Sequence, residues 1–229
     1  MKTVICPSAA LNEQMAERIQ ALLRDKPDAL IALSAGRSTS GLYRLLSEMC
    51  GEGRLSFAKA RIFAVTEYVG AEYEHSCRAV LERELINNID LDRQNFFLPD
   101  EAGPENYDLM IEQAGGIDLA VLGIGINGHI GYNEPATPFD SLTHIQKLTD
   151  ATHRQYGAGG RRLTEYALTM GIKTLVSSRS IFLLATGREK ADAVFKMIYG
   201  KTMSYVPASF LQIPLEVTAY LDGEAAEKL

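Results

Sequence analysis

The sequence predicts an α/β fold in a single domain: a doubly wound, mostly parallel sheet with helices on both faces. Three observations predict it. Apolar runs of strand length alternate with segments of helical period along the whole chain. Most of those runs are continuously apolar, as expected for parallel strands covered on both faces rather than half-exposed ones. At 229 residues the chain is long enough for one sizeable core, with no repeat or linker to divide it.

The first residues, Met1-Lys-Thr-Val-Ile-Cys-Pro, read as a strand. Residues 11–24 then place apolar side chains at helical spacing. The run at 30–33 is a second strand, and 41–50 is a helix after a polar turn. A strand at 60–65 precedes a helix over 77–87, where Leu81 and Leu85 stand four apart. A helix at 106–114 leads into a strand at 119–123, and a strand at 181–185 into a helix at 188–199. A short helix at 208–211 after Pro207 and a strand at 217–221 complete the order. Strand–helix–strand repeated in this way implies right-handed crossovers and a Rossmann-like sheet. Residues 136–164 are the least regular stretch, with Gly157, Gly159 and Gly160 nearly adjacent. That composition suits a mobile lid.

Composition excludes several functions. A net charge of −6 supplies no face-wide excess of Lys and Arg, so no nucleic-acid partner is expected. Three widely spaced cysteines without a Cys-x-x-Cys pair (Cys6, Cys50 and Cys77) fit a reducing compartment and no structural zinc. The apolar run at the start is too short for a signal peptide. No uncharged apolar stretch reaches the roughly 18 residues of a membrane span. A cytoplasmic location follows as the expectation, with no membrane partner.

In doubly wound sheets ligands bind beyond the carboxyl ends of the strands, near the switch in strand order. Four polar, glycine-bearing segments lie there. In Ser34-Ala-Gly36-Arg37-Ser38-Thr39-Ser40-Gly41, hydroxyls and exposed N–H groups at a helix start form a natural phosphate cradle. Arg37 would add a charged fork. The same residues also read as an N-cap cluster that ends a strand and starts a helix. In residues 123–135, three glycines surround Asn127, His129 and Glu134. A carboxylate five residues from a histidine on a curved loop can orient it for general acid/base work. The alternative is a surface histidine with Glu134 capping a helix. In Thr66-Glu67-Tyr68-Val-Gly70, Glu67 is either an acid/base or a cap. In Thr186-Gly187-Arg-Glu-Lys190, a lysine at a helix start opposes the macrodipole, a conflict that a bound anion removes. The remaining histidines, His75, His144 and His153, read as ordinary polar residues.

Together these four motifs resemble the glucosamine-6-phosphate deaminase (isomerase) family, over essentially the whole chain from Ile31 to Leu221. The strongest part is Gly-x-Asn-Gly-His-x-Gly-x-Asn-Glu-Pro at 125–135. Pro207-Ala-Ser-Phe-Leu, and Arg162 followed by Leu168-Thr-x-Gly171, look like its galactosamine-6-phosphate isomerase branch. The resemblance implies conversion of a 2-amino-2-deoxyhexose 6-phosphate to a ketose 6-phosphate and ammonia, with no metal or organic cofactor. It also implies that Ser34, Gly36, Arg37, Ser38, Thr39, Gly128 and Lys190 hold the substrate and its phosphate. His129 then matches the histidine that opens the pyranose ring, with Glu134 as its partner. Family assemblies range from monomers to hexamers, so a homo-oligomer is compatible with it.

Two positions depart from the pattern. Asn127 stands where glucosamine-type members carry an aspartate, and an amide can fix an imidazole but not balance its charge. Thr66 stands where an aspartate carries a proton between C2 and C1. A hydroxyl is too weak a base for that step, which general-base catalysis accelerates by on the order of 10²–10⁴. Glu67, adjacent, is the stand-in, although successive residues of an extended chain point opposite ways. Three functions are therefore in view: the isomerase/deaminase, a catalytically weak sugar-phosphate binder lacking the shuttle, and a 6-phosphogluconolactonase-like hydrolase.

Overall fold

The apolar runs pair into a seven-stranded sheet whose central strands are buried on both sides, while the edge strand at the N-terminus is largely exposed. A computed structural model describes residues 1–157 and 164–229. The sheet contains β1 (Lys2–Ile5), β2 (Leu30–Leu33), β3 (Arg61–Ala64), β5 (Phe96–Phe97), β6 (Leu119–Gly123), β9 (Ser180–Ala185) and β10 (Val217–Leu221). Its spatial order is β1-β10-β9-β6-β2-β3-β5, and every pairing in it is parallel. Register is set at the centre, where Ile31 of β2 lies opposite Ile62 of β3 on one side and Leu119 of β6 on the other.

Period-two alternation sorts the strand side chains between two cores. Ile31, Leu33, Ile62, Val121 and Leu184 pack on one face with α1 (Ser8–Asp25), α2 (Ser40–Gly51) and α3 (Cys77–Glu84). Leu30, Ala32, Phe63, Ala120 and Leu183 pack on the other with α4 (Pro104–Gln113), α6 (Ile172–Val176) and α7 (Ala191–Tyr199). In α1 the buried stripe is Leu11, Met15, Ile19 and Leu23, four apart, which is why this segment forms a helix and docks. Burying each such side chain contributes roughly 1.5–3 kcal/mol.

The expected elements fall in place with ends shifted by a few residues, as local fraying dictates. The 77–87 helix stops at Glu84 and continues as a 3₁₀ turn at Ile86–Asn88. Residues 188–190 form a 3₁₀ turn before α7, and Pro207–Gln212 is 3₁₀ throughout. A second, antiparallel sheet was not foreseen: β4 (Thr66–Tyr68), β8 (Tyr166–Thr169) and β7 (His144–Lys147), in that order. The stretch expected to be irregular thus holds β7 and the helix α5 (Asp150–Gly157). Gly159, Gly160 and Arg162 lie outside the described residues.

Chain order reverses between β2 and β6. From β2 the chain moves outward to β3 and β5, then crosses back to β6, β9 and β10 on the other side. The crevice beyond the carboxyl ends of β2 and β6 is the switch point where such sheets take ligands. Among the described residues no helix is long and apolar enough to cross a membrane.

Candidate active site

A cleft of about 450 Å³ opens at that switch point, a size that suits a small phosphorylated metabolite. Five strand ends line it: Ser34–Thr39 after β2, Thr66 after β3, Gly123 at the end of β6 with His129 and Tyr132 from the loop beyond it, Thr186, Gly187, Glu189 and Lys190 after β9, and Asp222 after β10.

The loop after β2 turns on Gly36 into a 3₁₀ turn at Arg37–Thr39 and then α2. The hydroxyl and the N–H of Thr39 both donate to the Gly36 carbonyl, so Thr39 shapes the cradle and has neither group left for a ligand. Tyr43 donates to the Ser34 carbonyl at 2.7 Å and braces the turn from below. The hydroxyl of Ser34 borders the cleft, buried and with no hydrogen-bond partner among the described residues. Buried polar groups are normally satisfied, so an unpaired hydroxyl at a cleft is a position where a polar ligand would complete the bonding. Lys190 is also buried against the cleft. Burial drives its ammonium down to about 8, with the Glu189 carboxylate opposing and the Arg37 guanidinium assisting.

The loop after β6 folds on itself through Gly125 N–H to the His129 carbonyl and Gly128 N–H to the Gly125 carbonyl. The imidazole of His129 lies directly against Gly125, where an added Cβ would stand 2.4 Å from the ring. Gly128 adopts φ +83°, a left-handed conformation that favours glycine, and faces Val206. It makes the turn and does not line the cleft, which corrects its expected place among the substrate-binding residues.

Behind His129 lies Glu134, 1% exposed. Its carboxylate accepts from the Asn127 amide at 2.7 Å, from the Thr149 N–H at 3.2 Å and from the Thr149 hydroxyl at 3.1 Å. The Thr152 hydroxyl also donates to it. Burial alone would raise its pKa, but the His129 ring and these donors outweigh that and hold it at about 2. Glu134 is therefore a fixed negative charge, 3.7 Å from Nδ1 of His129. Asn127 was expected to fix the imidazole. Its amide instead orients Glu134, and its carbonyl accepts from the backbone N–H of His129 at 3.2 Å.

Thr66 and Glu67 part company. Thr66 lines the cleft, buried, with its hydroxyl 3.4 Å from the Cys77 thiol. Glu67 points the other way, as pleating requires, and accepts from the N–H groups of Tyr68, Cys77 and Arg78 at 2.7–2.9 Å. It caps the start of α3 and does not line the cleft. Glu67 is thereby corrected from candidate base to helix cap.

Three participants were missed. Thr152 and Gln155 sit on α5, and Gln155 both lines the cleft and accepts from the Ile126 N–H at 2.9 Å. Asp222 follows β10, lines the cleft and accepts from the Gly187 N–H at 3.0 Å. Asp222 was legible in principle, being one more polar residue at a strand end. Among the described residues no cluster of three or more His, Cys, Asp or Glu side chains is placed to hold a metal ion.

Comparisons with known proteins show the chain's family. The family model of glucosamine-6-phosphate isomerases and 6-phosphogluconolactonases matches residues 7–219. The chain belongs to this family. A glucosamine-6-phosphate deaminase of Streptomyces coelicolor is 39% identical over all of this chain and 93% of its own length. One from Clostridium botulinum strain Hall is 35% identical over 95% of each chain. A solved structure of a monomeric glucosamine-6-phosphate deaminase superposes with a TM-score of 0.96 at 33% identity, each chain covered completely. The 6-phosphogluconolactonase of Trypanosoma cruzi, at 20% identity and a TM-score of 0.79, shares the fold of this family. None of these relatives is specific to the galactosamine branch.

Proposed function

We propose that the chain is an amino-sugar-6-phosphate deaminase/isomerase, acting in amino-sugar catabolism on glucosamine or galactosamine 6-phosphate. The observation that carries this reading is that the buried His129–Glu134 pair opens onto the same cleft as Lys190 and Arg37. The relatives named as glucosamine-6-phosphate deaminases support it.

The 6-phosphate is held by the N–H groups and hydroxyls of residues 34–38, by Arg37 and by Lys190. His129 takes the proton of the C1 hydroxyl and passes it to the ring oxygen as the bond between C1 and that oxygen breaks, opening the pyranose to the aldehyde, while Glu134 balances the charge that comes and goes on the imidazole. A proton then moves from C2 to C1, giving a ketose imine. Water adds at C2 and ammonia leaves, so substrate and water become ketose 6-phosphate and ammonia. In this reading α5 is the described part of the lid expected over 136–164, and it brings Gln155 to the cleft.

The C2-to-C1 step is the weak one. Thr66 supplies a hydroxyl where a base is wanted, and Glu67 is committed to α3. Turnover is accordingly limited by this step, and Thr66→Asp raises kcat, by tenfold or more on the order of what a positioned base supplies. A coupled ammonia-release assay on both 6-phosphates, wild type beside Thr66→Asp, tests the reading and ranks the epimers. Absence of ammonia from both sugars at high enzyme concentration overturns it. Binding of either sugar phosphate without turnover, relieved by Thr66→Asp, would mark the chain as a sugar-phosphate binder that has lost its base.

A further inference from the structure

The closest approach of His129 Nδ1 to Glu134 is 3.7 Å, beyond hydrogen-bond range. The carboxylate charge favours a proton on the nearer nitrogen, Nδ1, but makes no direct hydrogen bond that fixes it there. What lies between them is the hydroxyl of Thr152, 1% exposed, 3.2 Å from Nδ1 and hydrogen-bonded to Oε1 of Glu134.

A threonine hydroxyl has one proton to give. Glu134 is an acceptor only, already ringed by the Asn127 amide, the Thr149 N–H and the Thr149 hydroxyl, so the Thr152 proton goes to it. The Thr149 hydroxyl, 3.3 Å from that of Thr152, has its own acceptor in Glu134 Oε2 at 3.1 Å. The Thr152 oxygen then offers only lone pairs to His129, and a lone pair faces Nδ1 favourably only if Nδ1 bears a hydrogen. In a neutral imidazole the basic nitrogen is then Nε2.

We infer that Thr152 is a positioning residue that holds His129 as its Nδ1–H tautomer by bridging the imidazole to Glu134. The role rests on the amino-sugar reading for its purpose, since ring opening needs a basic ring nitrogen that takes the C1 hydroxyl proton and passes it to the ring oxygen. The hydrogen-bond logic stands without it. Thr152 comes from α5, which also reaches the cleft through Gln155, whose side chain accepts from Ile126 N–H and whose carbonyl accepts from Arg37 at 3.4 Å. One helix thus touches the anion cradle, the turn before His129 and the His129–Glu134 pair, so its seating sets the tautomer.

The test is the ¹⁵N spectrum of the histidine rings, with the His129 signals assigned by their loss in His129→Gln. Wild type is expected to show a protonated Nδ1 and an unprotonated Nε2 for neutral His129. Thr152→Val, which keeps the shape and removes the bridge, is expected to admit the Nε2–H form. It should also lower kcat by on the order of 10²-fold, with KM changed less than about twofold, and displace the pH profile. Thr152→Ser restores the hydroxyl and is expected to return both tautomer and pH profile to those of wild type. A wild-type His129 in the Nε2–H form overturns the inference, as does Thr152→Val with unchanged tautomer and pH profile. If Thr152→Val does not fold, the wild-type and Thr152→Ser spectra still decide. If wild type releases no ammonia from either sugar, the proposed function fails while the spectrum continues to test Thr152.

Discussion

Lys190 is a buried cation at the cleft, and in the proposed function it meets the substrate phosphate. Its pKa of about 8 against an ordinary 10.5 means that folding disfavours the protonated form. The unfolded chain binds that proton more tightly, so stability rises with pH between about 8 and 10.5, by up to about 3 kcal/mol, and none of this gain is present below about 8. A phosphate beside Lys190 removes the penalty, which is how a buried lysine becomes an anion site. Because the free protein loses the charge near pH 8, kcat/KM for a 6-phosphorylated substrate is predicted to fall above that pH. A kcat/KM profile that stays flat to pH 10 would contradict the assignment of Lys190. The same scale explains Gly125: a methyl there meets the His129 ring at 2.4 Å. Gly125→Ala is expected to displace the imidazole and lower kcat at least tenfold, read by steady-state kinetics, since misplacement of about 1 Å can cost 10²-fold.

Elements carry the next level of constraint, and α3 shows how a tempting acid becomes structural. Its first turn receives the Glu67 carboxylate on two backbone N–H groups, while Ser76 accepts from Ala79 N–H at 2.9 Å. Glu67→Gln is predicted to lower stability in urea by about 1 kcal/mol, the usual effect of weakening a cap, with KM unaltered. A large loss of kcat with unchanged stability would instead return Glu67 to the catalytic group. The main strands were legible because burial on both faces writes itself as continuous apolar sequence, as in Leu30–Leu33 and Leu119–Gly123. The second sheet was not, because Thr66-Glu67-Tyr68 and His144-Ile-Gln-Lys are short and mixed, and acquire strand character only by pairing with Tyr166–Thr169. Helix α5 reads Asp-Ala-Thr-His-Arg-Gln-Tyr-Gly, with no apolar stripe, so Thr152 and Gln155 were hidden with it. A hydroxyl that meets a histidine 23 residues away leaves no local trace.

At the scale of the whole molecule, one topological fact gathers the chemistry. The reversal of strand order between β2 and β6 leaves a crevice, and the Ser34–Thr39 loop and the His129 loop are the two segments that leave those strands into it. The loops at these strand ends carry the cleft-lining residues, whereas buried Glu134 and Thr152 and half-buried Asn127 and Thr149 form a polar layer behind the imidazole. The central claim is that a single cleft both anchors the 6-phosphate and moves protons through His129. It is tested most directly by measuring ammonia and ketose 6-phosphate together from glucosamine or galactosamine 6-phosphate, in wild type and in His129→Gln. The account predicts equal amounts of the two products from wild type and a rate lower by on the order of 10²–10⁴ in His129→Gln. Ammonia released at the wild-type rate by His129→Gln, or none released by wild type from either sugar, would contradict it.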